Sequence, residues 1–177
     1  MSGPFDDDDD SQVDAETGAL SALGDRFMAA LAAKDAGKLD EAEDMLRALV
    51  SEEPRLGEPH LELARLLLDT DRLEQAEDHA REAIEHLERS GAWVDGVPEN
   101  VVKGLAHAVL AEILRRHADE DDVIFGDPDT FRGIVDESRR EFERAHALDP
   151  SDDYASYHAF FLGLAGHGGT NATEDEA

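Results

Sequence analysis

From about residue 18 to residue 165, apolar residues recur at spacings of three and four, the mark of helices that each bury one stripe. Ala, Leu, Glu and Arg dominate this stretch, all strong helix formers, and no segment alternates with the period of two that a strand needs. The pattern predicts helices over about 18–35, 39–52, 57–69, 72–88, 99–117, 128–148 and 151–165. Their ends carry fitting signals. Gly37 follows the first helix, and Pro98 and Pro128 stand where a first helical turn tolerates proline. Asp127 can cap the helix that starts at 128, and Gly91 and Gly96 punctuate the loop before the fifth. Residues 1–16, with the run Asp6 to Asp10, and residues 166–177, Gly-rich and then acidic, lack this periodicity. Both read as disordered tails.

The helical stretch repeats itself. Gly37-Lys-Leu-Asp-Glu-Ala-Glu-Asp44 returns as Asp71-Arg-Leu-Glu-Gln-Ala-Glu-Asp78, 34 residues later. At that offset Leu39 pairs with Leu73, Ala42 with Ala76, Arg47 with Arg81, and upstream Ala30 with Ala64. A helix–turn–helix unit of that period resembles the tetratricopeptide repeat (TPR). The resemblance implies that a small residue in each first helix (Ala30, Ala64) and another early in each second helix (Ala42, Ala76) let the paired helices approach closely. Ala83 fills a third small position in the second unit, where Leu49 stands in the first, and Pro54 closes the first unit. Arg26 and His60 depart from the family pattern, which has a large aromatic there.

A third unit is stretched. Its first helix runs from Val101 to about Arg116 and its second through Val135, Phe142 and Ala145 to Pro150, with an insertion between them that includes Ala118 to Asp127. The amphipathic segment from Ser151 reads as the cap that a solenoid needs. The expected architecture is therefore all-α: a right-handed α-solenoid of about three TPR-like repeats (about 23–55, 57–90 and 99–150) and a C-terminal capping helix (151–165), together one repeat domain over 17–165.

Charge and composition narrow the function. The formal net charge of -28 makes nucleic acid and anionic membrane surfaces poor partners. The sixteen cations are thirteen Arg and only three Lys (Lys34, Lys38, Lys103), a composition that resembles proteins of salt-accumulating halophiles. In molar salt such self-repulsion is screened. The alternative is an ordinary acidic adaptor. The absence of cysteine removes disulfides, thiolate zinc sites and thiol catalysis. Met1 to Asp10 has no apolar stretch like that of a secretion signal, and no run approaches a membrane span, so a cytoplasmic protein is expected.

No Gly-rich phosphate loop, nucleophile elbow or His-Glu-x-x-His motif stands in the chain, so no enzyme and no cofactor is expected. His79, Glu82 and His86 share a helix face at metal-binding spacing, but the same pattern suits a polar helix surface. The run Asp119 to Asp122 lacks the spacing and glycine of a calcium loop. Trp93 is expected to pack back over the helix ends. Val123, Ile124 and Phe125 form an apolar triplet in the acidic insertion; they are expected to fold down onto the third unit, the alternative being a partner contact.

The expected function is a protein–protein interaction scaffold that takes a partner helix or peptide in a concave groove; the alternative is self-association into an assembly or homodimer. A His-based metal or enzymatic domain is the weakest reading. The resemblance places Phe27, Leu31 and Lys34, then Leu61, Arg65 and Leu68, then Lys103, His107 and Leu110 on the groove wall. An exposed apolar surface holding Lys34, Arg65 and Lys103 would suit a partner bearing acidic residues. The carboxylate clamp of co-chaperones is not expected, because Phe27, Leu31, Glu62, Asn100 and Gly104 occupy its positions.

Overall fold

The computed structural model describes residues 8–94, 96–152 and 158. Among these, seven helices and no strand form, in two compact units, Met1–Pro54 and Arg55–Ala177. The helices pack as consecutive pairs, as in a TPR-like α-solenoid.

The first unit is one pair, α1 (Asp8–Asp35) against α2 (Leu39–Glu52). Helix α1 opens well before the predicted residue 18, inside the stretch read as a tail. Its first residues are Asp8, Asp9 and Asp10. Ala30, Ala42, Leu46 and Leu49 are fully buried.

Between α1 and α2 the chain turns through Gly37 at φ 75°. The Lys38 amide donates to the Ala33 carbonyl at 3.0 Å and the Gly37 amide to the Lys34 carbonyl at 2.9 Å, the two bonds of a Schellman turn. The same turn recurs 34 residues on. There the Arg72 amide donates to Leu67 at 2.9 Å and the Asp71 amide to Leu68 at 3.1 Å, with Asp71 at φ 58°. The sequence repeat is thus a repeat of structure down to single hydrogen bonds.

The second unit holds α3 (Gly57–Asp69), α4 (Leu73–Ser90), α5 (Glu99–Ala118), the short α6 (Asp121–Ile124) and α7 (Pro128–Leu148). Helix α3 packs on α4, α4 on α5, and α5 on α7. Small residues bring the backbones together. Ala64, Ala76, Ala80 and Ala83 are fully buried, and a Cβ on Gly57 would lie 2.6 Å from Leu87 Cγ and 3.1 Å from the Ala83 carbonyl. Around them Leu63, Leu66, Leu67, Leu87 and Ile113 are fully enclosed, each contributing about 1.5–3 kcal/mol by burial.

At the α5–α7 contact Ala111, Phe142 and Ala145 form a core cluster, and the Ser138 hydroxyl donates to the Ala111 carbonyl at 2.7 Å. Asp127 caps α7 as predicted, accepting from the Thr130 amide at 3.0 Å. The Thr130 hydroxyl and amide hold the exposed Asp127 carboxyl below its ordinary pKa. The predicted capping helix 151–165 lies outside the described residues except for Ser151 and Asp152, which are not helical, and for His158. The His158 ring stacks on Phe142 with centroids 5.2 Å apart. No helix among the described residues is long and apolar enough to cross a membrane.

Candidate interaction surface

The nine residues expected on the groove wall divide into two groups. Phe27, Leu61, Leu68, His107 and Leu110 are buried, none more than 7% exposed. Leu31, Lys34, Arg65 and Lys103 are half-buried. The exposed apolar surface expected there is therefore not open. The reason is the chain's own demand for core: every large apolar side chain in that set but Leu31 is needed to fill the packing around its helix.

The cations expected to greet an acidic partner are also engaged. Arg65 Nη1 lies 2.7 Å from Glu62 Oε1 one turn earlier, and Lys103 is ion-paired with Glu99. In a chain with 44 acidic residues and 16 Lys and Arg, nearby carboxylates claim the cations first. Asn100, a clamp position in the co-chaperone comparison, instead donates to the Leu148 carbonyl at 2.9 Å and caps α7.

His107 points into the second unit. Its Nδ1 donates to Glu141 Oε2 on α7 at 2.5 Å, and its Nε2 lies 3.8 Å from Glu88 on α4. Burial opposes ionisation of Glu141, but the His107 hydrogen bond, with the charges of His107, Arg144 and Arg81, outweighs it and holds the carboxyl below its ordinary pKa. Beside this pair Arg81 bonds Glu77 at 2.7 Å and Glu137 at 2.9 Å, joining α4 to α7. A cleft of about 290 Å³ opens here, lined by Ile84, Glu85, Leu110 and Arg144 as well as by Arg81, Glu88, His107 and Glu141. The His107–Glu141 bond ties α5 to α7 at this cleft.

The three residues that share metal-binding spacing on α4, the weakest reading of the sequence, take separate partners. His86 Nε2 meets Glu82 at 3.2 Å, while His79 turns to α3, where its Nδ1 lies 3.1 Å from His60 Nδ1. The His60 ring sits between the two, with centroids 5.2 Å from His79 and 5.6 Å from His86. Among the described residues no group of three or more His, Asp or Glu could hold a metal ion. His60 was visible in the sequence only as the histidine replacing the family's aromatic.

The loop after α4 is fastened down. Glu58, buried in the first turn of α3, accepts from the backbone amides of Trp93 at 2.5 Å and Val94 at 3.1 Å. This ties the backbone at Trp93 and Val94 to the first turn of α3, with Trp93 half-buried. The insertion after α5 behaves the other way. Val123 is half-buried, but Ile124 is 49% and Phe125 82% exposed, so the triplet does not fold down.

Two repeated helix pairs with matching turns invite comparison with known repeats. Residues 33–93 match the tetratricopeptide repeat family. The match supports a TPR protein, and such repeats generally mediate protein–protein interaction rather than catalysis. It runs from the end of α1 through α4 and stops at Trp93, where the longer loop breaks the TPR spacing. A comparison with curated proteins returned no match.

Proposed function

We propose that the chain is a protein-interaction scaffold, in which stacked TPR-like helix pairs present a surface to another protein. The observation that carries this reading is the 34-residue unit repeated down to its Schellman turns at Gly37 and Asp71, inside the stretch that matches the TPR family. Half-buried positions remain part of the proposal on each unit by itself, Leu31 and Lys34 on the first and Arg65 and Lys103 on the second. Arg65 and Lys103 already pair with Glu62 and Glu99, which weakens their pull on an acidic partner. A net charge of -28 favours a partner with a cationic surface and disfavours a second copy, nucleic acid or an anionic membrane. The acidic, Arg-rich composition further supports work in a salt-rich cytoplasm.

Cross-linking in high salt, followed by reconstitution with each purified candidate and titration calorimetry, tests the scaffold reading. A stoichiometric complex with a basic protein is expected. Concentration-dependent dimers in sedimentation, with no heterologous complex, would establish the assembly reading instead.

A further inference from the structure

The insertion between α5 and α7 is a built feature. Helix α6 is wound by bonds from the Ile124 amide to the Glu120 carbonyl at 2.9 Å and from the Phe125 amide to the Asp121 carbonyl at 2.9 Å. The turn that follows admits only glycine without rearrangement, because a Cβ on Gly126 would lie 2.3 Å from the Asp122 carbonyl oxygen. The next residue, Asp127, is the cap of α7. The tip is thus held by hydrogen bonds on both sides, and it points an aromatic ring at water.

Phe125, at 82%, is the most exposed of the large apolar side chains among the described residues, with Ile124 beside it at 49%. The frame around them is negative: Asp119, Glu120, Asp121 and Asp122 precede the pair, and Asp127 and Asp129 follow. Apolar surface fixed in this exposed geometry has no folding role, since it buries little on its own unit. Such patches mark interaction sites, and aromatic anchors seated in a partner's pocket carry a large share of binding energy.

We infer that the α6 tip is a docking knob for a folded protein with an apolar pocket rimmed by Lys and Arg, an inference that rests on the scaffold reading above. Charge complementarity selects this occupant. A second copy would bring another net -28 to the acidic frame, its 16 Lys and Arg outnumbered by 44 acidic residues, and anionic lipid would be repelled in the same way.

The probe is an 18-residue amphipathic Leu/Lys helical peptide, with its Leu/Glu counterpart as control, titrated against the full chain. The Leu/Lys peptide is expected to bind and the Leu/Glu peptide not to. Phe125→Ala leaves every charge in place, so attraction by charge alone survives it, yet affinity is expected to fall at least tenfold. Amide exchange should slow at Asp121–Gly126 when the peptide binds. Equal affinity for the parent and a folded Phe125→Ala variant overturns the knob, and so does Phe125-dependent binding to lipid vesicles or Phe125-dependent dimerisation. A cross-linked partner captured undiminished by Phe125→Ala removes the knob and leaves the scaffold reading standing. No heterologous complex with either chain removes the scaffold.

Discussion

The Nδ1 atoms of His60 and His79 face each other across the α3–α4 contact at 3.1 Å. That geometry holds one proton between them: one ring donates and the other accepts. The bond ties α3 to α4 at the place where the His60 ring is buried.

Stability is expected to fall in acid through Glu141, because the unfolded chain takes up that proton more readily than the fold does. Its carboxyl is depressed in the fold, so its contribution is complete above the unfolded carboxyl value and disappears as pH falls through the lower folded one. Denaturant titrations at stepped pH, on the parent and on Glu141→Gln, measure the loss. An acid slope that Glu141→Gln leaves unchanged would show that this carboxyl does not control it.

The paired turns allow a sharper test. Gly37 and Asp71 occupy the same left-handed position, at φ 75° and 58°, and only the second carries a side chain. That conformation costs a residue with a Cβ roughly 1–2 kcal/mol, partly relieved for Asp. Asp71→Gly is expected to stabilise by about 0.5–1 kcal/mol, and Gly37→Ala to destabilise by about 1 kcal/mol. A Cβ on Gly37 would meet nothing within 4 Å, so its cost is conformational alone. Chemical denaturation of both variants measures the pair, and a destabilised Asp71→Gly would mean that the carboxylate matters more than the backbone.

Ala42 and Ala76 should resist bulk. Both are fully buried at equivalent places in successive repeats. Leucine at either overpacks the helix contact at roughly 1–3 kcal/mol. The melting midpoint reports it, and an Ala76→Leu variant as stable as the parent would contradict the close approach that Gly57 and Ala83 also indicate.

The helix pairs were legible because two independent periods agree in the sequence. The spacing of three and four fixes which face of α2 or α4 is buried, and the offset of 34 fixes how often the pair returns. The Asp127 cap was equally readable, since it needs only local chemistry. The surface was not. Whether Leu61 or Leu110 is core or groove depends on which helix passes over it, and a resemblance places a residue on a helix without saying what covers that side. Phe125 shows the converse: an apolar triplet predicts burial until the Gly126 turn and the Asp127 cap fix the tip outward. The His60–His79 pair depends on two helices crossing at one point, which no spacing within α4 could reveal.

Salt is the broadest test of how this surface works, and two effects oppose each other. Screening weakens favourable pairs such as Arg47–Glu43, Arg81–Glu77 and Arg89–Glu85, each worth about 0.3–0.5 kcal/mol at an exposed helix face. It also relieves repulsion among the surplus, since 44 carboxylates face 16 Lys and Arg and most have no cation to pair with. The Debye length falls from ~10 Å at 0.1 M to ~3 Å at 1 M, which removes the long-range repulsion while close pairs keep part of their attraction. Repulsion wins by number. Raising KCl from about 0.1 M to about 2 M is expected to stabilise by on the order of 2 kcal/mol and to raise the midpoint by roughly 4–8 °C. Circular dichroism melts at the two salt concentrations settle the sign. An unchanged or lower midpoint in high salt would mean that the ion pairs dominate and that the acidic surface is not an adaptation to salt.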